Sequence, residues 1–278
     1  MDYKHRFAFS TLDKSTAFAL GSLGLAYKID SGCDIGVIEI LESDDRWPQL
    51  RDFLKNIGET TQVTPIFTKA EIAQAEWFTI RSKWRWEYPQ PDTGNFGYAN
   101  GITYAHGCPE CGANAVQVGN FRVRKSPKWN AKAFLMLNWV DDVLFVSENT
   151  KNILKVSGLG GFKFAEVLNT RGRTAVPNIY QLSVENCLPE GMVINANYIS
   201  EEHKCPLCGT KKYIMTGRGC AYEMDAFNEV CEDIVMSSEV FGAGNLACRK
   251  LIISKKFYET IVSNGLGSQL DMQPVIFK

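Results

Sequence analysis

Residues 106–112 read HGCPECG, and residues 203–209 read HKCPLCG. Each stretch holds two cysteines separated by two residues, with a proline between them and a glycine after the second. Such a turn points two sulfurs at one metal ion. The glycine permits the left-handed backbone the chain needs as it leaves the second sulfur. A structural zinc site takes four ligands, so neither stretch is complete alone. Together Cys108, Cys111, Cys205 and Cys208 make a tetrahedral thiolate set suited to a single structural Zn²⁺. The two pairs lie far apart in sequence. That spacing is foreign to a small zinc finger and fits a staple pinning two halves of one domain.

Other chemistries of paired cysteines fit less well. Rubredoxin-type iron uses similar turns on a much smaller chain, and a thioredoxin-like redox pair needs only one of them. Zinc deamination requires His-x-Glu with Pro-Cys-x-x-Cys, whereas Gly107 and Cys108 follow His106 and the chain holds no His-x-Glu. Catalytic zinc keeps an open coordination position, and four thiolates leave none. His106 and His203 each stand two residues before a turn's first cysteine. They read either as hydrogen-bond partners of a sulfur or as polar strand-end residues. Cys33, Cys187, Cys220, Cys231 and Cys248 have no metal-like spacing and are expected as small core residues. The remaining histidine, His5, is linked by nothing to any of these thiols. No catalytic set can be assembled, so a non-enzymatic protein is expected.

Around the cysteines runs a second pattern. DVLFVSENTKNILKVSGLGGFKFAEVL (142–168) and RKLIISKKFYETIVSNGLGSQLDMQPVI (249–276) both read as a strand, a serine N-cap (Ser147, Ser254), a short helix closed by Ser-Gly or Asn-Gly, and an alternating strand. The fold expected is α+β. Two knuckle–strand–helix–strand repeats, at about 101–170 and 198–278, are joined by a Cys₄ zinc site within a domain spanning 68–278. Residues 1–67 form an N-terminal α/β segment. There VIEI (37–40) and QVTPIF (62–67) suit strands, and DRWPQLRDFLKNIG (45–58) has helical apolar spacing with a glycine stop. Thr68 and Glu71 make a capping box that opens a helix expected to reach about Ile80. WRWEYPQPDTGNFGY (84–98) reads as an aromatic-bearing loop.

The 278 residues are 45 % apolar and 22 % charged, with a net charge of −1. That is ordinary globular composition, without the basic excess of a dedicated nucleic-acid binder. No apolar run is long enough for a membrane span. The start of the chain, interrupted by Asp13 and Lys14, is not expected to be a secretory leader. Nine cysteines without a secretion signal imply reduced thiols in a cytoplasm. Charge is nevertheless clustered. Arg122, Arg124, Lys125, Lys128 and Lys132 form a basic run. Glu223, Asp225, Glu229, Glu232, Asp233 and Glu239 form an acidic one. Trp84, Trp86 and Tyr88 alternate with Lys83 and Arg85. Each group is a candidate partner-binding surface, the charges for fast capture and the aromatics as anchors. Solvated faces and a loop packed on the core are the plainer readings.

AEWFTIRSKWRWEYPQPD, CPECG, FRVRKSPKW, LNWVDDVLFVS, CPLCG and FGAGNLACRKLIIS together resemble the bacterial double-CxxCG motif proteins, over roughly residues 68–276. That family includes immunity proteins, which sit in the cytoplasm of toxin-producing bacteria and neutralise a cognate toxin. The resemblance carries over the four cysteines and assigns no toxin-binding residue. It implies a protein that binds and blocks a cognate toxin. Charge complementarity makes the acidic run the expected contact if that toxin acts on nucleic acid, since such a toxin's active site is basic. A zinc-ribbon nucleic-acid binder using the basic run is the alternative, and the near-neutral charge favours the former.

Overall fold

The computed structural model describes residues 1–29, 32–92 and 101–278. The chain is mixed α+β and mostly sheet, with five α-helices among the described residues. It divides into two compact units. One is Met1–Ala73 with Thr216–Gly219, and the other is Gln74–Met215 with Cys220–Lys278.

The first unit runs β1 (Asp2–Ser10), α1 (Lys14–Ser22), β2 (Lys28–Ile29), β3 (Ile35–Leu41), α2 (Trp47–Asn56), β4 (Gln62–Ile66) and α3 (Lys69–Gln74), the last crossing into the second unit. Its sheet has the order β2-β3-β1-β4, antiparallel throughout. A helix follows β1 and another follows β3, which is the split β-α-β arrangement of ferredoxin-like domains. Strand alternation puts Phe7, Phe9, Ile38 and Ile40 on one face, where they pack with Leu20, Trp47, Leu50 and Leu54 of the helices. Full burial of each such side chain stabilises by about 1.5–3 kcal/mol. Pro65 is tolerated in β4 because β4 is the edge strand next to β1. The Thr68–Glu71 capping box forms, with the Thr68 amide 2.8 Å from Glu71 Oε2 and the Glu71 amide 3.2 Å from Thr68 Oγ1.

The expected helix to Ile80 does not form. It ends at Gln74, and Trp77–Ser82 is a strand, β5. The run of aromatic and β-branched residues from Trp77 to Ile80 favours a pleated surface over a helix. The second unit continues with β6 (Arg85–Trp86), β7 (Tyr104–Ala105), β8 (Val116–Gln117), β9 (Arg122–Val123), β10 (Phe134–Leu137), β11 (Leu144–Val146), α4 (Glu148–Val156), β12 (Phe162–Asn169) and β13 (Ala175–Val184). It ends with β14 (Ile199–Lys204), β15 (Lys211–Met215), β16 (Ala221–Tyr222), β17 (Ile234–Met236), β18 (Val240–Phe241), β19 (Leu251–Ser254), α5 (Lys255–Ser263), β20 (Leu270–Pro274) and β21 (Ile276–Phe277). Part of the segment expected as a loop at 84–98 is strand β6, which pairs in parallel with β10, while residues 93–98 lie outside the described residues.

Two sheets carry this unit, with orders β6-β10-β11-β13-β12-β9 and β17-β19-β5-β20. In the first, α4 joins β11 to β12, which flank β13 and run antiparallel to it. In the second, α5 joins β19 to β20, which flank β5 in the same sense. Ser147 and Ser254 cap the helices, each accepting the amide three residues on (Thr150, Phe257) at 3.2 Å. The middle strands have different origins. β13 directly follows β12, whereas β5 comes from residues 77–82, outside the span expected for the second repeat, 198–278. Phe121, Leu135, Leu137, Phe145 and Val167 centre one core, and Tyr222, Val235, Ile252 and Val275 another.

Candidate metal centre

Each cysteine pair sits between two short strands. The first turn joins β7 to β8 and the second joins β14 to β15. The hydrogen bonds match: the Cys108 amide donates to Ala113 O at 2.8 Å and the Cys205 amide to Thr210 O at 2.9 Å. The Gly112 and Gly209 amides return to Cys108 O and Cys205 O at 2.8 and 3.0 Å. Both glycines have φ of 74°, the left-handed backbone their place in the motif requires.

The two turns face each other. All four sulfurs lie within 4.8 Å of one another. Cys108 Sγ is 3.8 Å from Cys205 Sγ, and Cys111 Sγ is 3.6 Å from Cys208 Sγ. A tetrahedron of thiolates at a metal–sulfur distance of about 2.3 Å has edges of about 3.8 Å, so the donor set fits a tetrahedral ion. The separations are far too long for disulfides. Cys108, Cys111 and Cys205 are buried and Cys208 is exposed. Burial pushes the Cys111 thiol up to about 12, whereas hydrogen bonds from the Thr210 side chain and amide pull Cys208 down to about 6. Ionising a buried thiol beside three others requires a compensating positive charge, which a bound cation supplies.

One supporting residue was invisible in the sequence. Lys212, on β15 just beyond the second turn, is only 4 % exposed. Its Nζ donates to Cys111 O at 3.1 Å, to Leu246 O at 3.0 Å and to Gly244 O. The neighbouring Lys211 points outward to Glu202 at 2.8 Å. Adjacent lysines on a strand face opposite ways, and nothing in the KK dipeptide says which is inside. Gly112 is held by the same loop, for a Cβ there would lie 2.2 Å from Asn245 O. Asn114 Nδ2 donates to Thr210 Oγ1 at 3.1 Å, a further bond between the turns. The histidines go elsewhere: His203 Nε2 lies 2.8 Å from Glu201, and His106 takes a left-handed φ of 64°.

The candidate partner residues scatter. Glu239 is buried, accepting the Gly191 and Met192 amides at 3.1 and 3.0 Å and the Tyr222 hydroxyl at 3.1 Å. Asp233 is half-buried and accepts the Ser254 hydroxyl at 2.8 Å and the Gly160 amide at 2.9 Å. Glu232 accepts from Asn186. The exposed remainder of the acidic run is Glu223, Asp225 and Glu229. In the basic run Arg122 is half-buried, Arg124 pairs with Asp92, and Lys132 lies over the Trp84 ring at 4.2 Å, while Lys125 and Lys128 are exposed. Trp84 and Trp86 pack against the Phe121 core. Of the five other cysteines expected inside, Cys33, Cys187 and Cys231 are exposed, Cys248 is half-buried, and Cys220 alone is buried. His5 is buried too. It stacks on Trp47 with ring centroids 3.6 Å apart and faces Glu42 at 3.7 Å, and Glu42 pairs with Arg218 at 2.8 Å.

No protein-family model matches the chain, and no curated protein matches it. The fold and the cluster define a mixed α+β chain with a four-cysteine centre able to hold a metal ion. No helix among the described residues is long and apolar enough to cross a membrane.

Proposed function

We propose that the centre holds one structural Zn²⁺ and that the protein is a cytoplasmic immunity protein, binding and neutralising a cognate toxin without turnover of its own. The observation that carries this reading is the convergence of two like cysteine turns, 97 residues apart in sequence, on one tetrahedral point. Zinc is the ion best suited to four thiolates at these separations. Such a centre is coordinatively closed, so its contribution is to folding and shape. The resemblance to double-CxxCG proteins then supplies the function. We further read the β11-α4-β12 and β19-α5-β20 units as copies of one ancestral unit, supported by their shared serine caps and by their common position about an antiparallel middle strand.

Metal analysis of freshly purified protein should find one zinc per chain. Co-expression with the product of the neighbouring reading frame should rescue growth if that product is the toxin. Protein without metal would overturn the zinc assignment. Tight binding of RNA or DNA at physiological salt, with no rescue, would replace immunity with nucleic-acid recognition.

A further inference from the structure

A cleft of about 1340 Å³ opens beside the first cysteine turn, in the second unit. Small-molecule pockets run to about 300–1,000 Å³, so this one has room for a stretch of polypeptide. Its lining includes Val116, Val118, Trp139 and Leu246, all large apolar side chains at least two-fifths exposed. Trp139 is braced against Tyr88, with ring centroids 4.5 Å apart. Three carboxylates also line the cleft. Asp141 is paired with Arg85, and Glu185 with Lys163 at 2.8 Å. Among the described residues Asp142 forms no ion pair; its carboxylate accepts the Arg249 amide, while the Arg249 guanidinium gives Nη1 to the carbonyls of Ser237 and Ser238. Asp142 reaches the cleft surface, yet protein surrounds it closely enough that desolvation pushes its carboxyl up to about 6. The Arg249 charge and the Arg249 and Asp142 amides offset part of that rise, but no cation pairs with the carboxylate directly among the described residues.

We propose that this cleft takes an extended segment of the partner protein, with a Lys or Arg paired to Asp142 and flanking apolar side chains resting on Val116, Val118, Trp139 and Leu246. The proposal rests on the reading of the protein as a binder of another protein, and places the contact here and not on the acidic run. That run keeps three exposed carboxylates on and around a single 3₁₀ turn. The cleft combines concavity, apolar anchors and a carboxylate without an ion-pair partner among the described residues, a combination suited to an interface centre. An extended segment suits it because alternate side chains point the same way, letting a basic residue and apolar neighbours engage different walls.

The test uses the full chain and a library of capped heptapeptides with Arg, citrulline or Glu fixed at the centre and apolar residues varied around it. By fluorescence polarisation the Arg pool should bind about tenfold or more tighter than the citrulline pool, and the Glu pool weakest. Asp142→Asn should erase the Arg preference while leaving the citrulline pool unchanged. Trp139→Ala should weaken every pool. Equal binding of the Arg and Glu pools, no binding by any pool, or an Arg preference that survives Asp142→Asn would each overturn the proposal. Growth rescue separates it from the functional reading. Rescue lost with Glu223→Lys and Glu229→Lys but kept with Asp142→Asn and Trp139→Ala would move the contact to the acidic run and leave immunity standing. Absence of rescue by the wild-type chain, with the Arg preference intact, would discard immunity and keep the cleft.

Discussion

Replacing Lys212 with Met tests whether this lysine holds the metal centre together. The side chain is buried and its ammonium serves three backbone carbonyls, one in the first cysteine turn and two in the 244–246 loop. Hydrogen bonds from a charged donor contribute about 1.5–3 kcal/mol each. The several kcal/mol needed to bury the ammonium offset much of that sum. Methionine matches the length of the stem and removes the desolvation cost, but leaves three carbonyls without this donor. At about 1 kcal/mol each, the low end for a lost partner, the net loss is about 3 kcal/mol. For a unit of this size that lowers Tm by about 6–12 °C. Because the bonds orient Cys111, the resistance of bound zinc to a competing chelator should fall by about ten- to a hundredfold. Lys211→Met is the control. Its partner Glu202 is a surface carboxylate, and the expected change is within about 0.5 kcal/mol. Calorimetry and chelator competition on both variants decide the matter. If Lys212→Met melts with Lys211→Met and keeps its zinc equally well, the three bonds contribute nothing.

The two knuckle glycines should respond unequally to alanine. Gly209→Ala meets open space and suffers only left-handed strain, about 1–2 kcal/mol, whereas Gly112→Ala must also displace Asn245 O, so its denaturation midpoint should fall further. Thermal stability should decline on acidification in two steps. Burial holds His5 below its ordinary 6.5, so the unfolded chain binds the proton first and stability falls as the pH drops through 6.5. The Arg218 hydrogen bond holds Glu42 below its ordinary 4.5, and the stability this gives is lost as the pH falls from 4.5 through the folded value. His5→Gln should flatten the upper step in pH-dependent melts, and an unchanged upper step would assign it elsewhere.

The cysteine cluster was legible because it is written in spacing: Cys-x-x-Cys-Gly sets the local turn, and two such turns demand each other to complete a tetrahedron. The serine caps and the short helices they open were legible for the same reason, since the Ser147 and Ser254 bonds span three residues. What failed was long-range placement that no local pattern announces. The middle strand of the second sheet, Trp77–Ser82, lies far upstream of the strands it separates, and a local capping signal just before it favoured continuing the helix. Charge runs misled for a similar reason. Glu239 sits among acidic residues in sequence but turns inward to two amides and a tyrosine, while Glu223, two residues from Asp225, stays outside. Sequence proximity says nothing about which members of a run find buried donors. The cleft had no signature at all, because its lining comes from four separated stretches.

A metal held at this centre would join cysteines 97 residues apart, and wherever it stays bound it would act on the unfolded chain as well as the folded one. Closing a loop of about 100 residues removes denatured-state entropy amounting to about 4.7 kcal/mol in the chain-entropy treatment of cross-links. In the native state the centre also gathers three stretches. These are the first turn, the second turn with Lys212, and the loop at 242–247, which touches Gly112 through Asn245 and receives the lysine at Gly244 and Leu246. Two effects of metal removal can therefore be told apart by hydrogen exchange. Loss of the cross-link should lower global stability, raising exchange at the slowest amides, those that open only by unfolding. Loss of the local gathering should free the Gly112 and Gly209 amides, which close the two turns, and the Leu246 amide, which bonds to Ala243 O, far more than amides of the β12–β13 hairpin. Chelated wild type and Cys205→Ser should show both effects, while Lys212→Met with zinc bound should show mainly the second. Uniform acceleration across the second unit in all three would mean that the centre acts only as a cross-link and that the packing around it holds nothing in place.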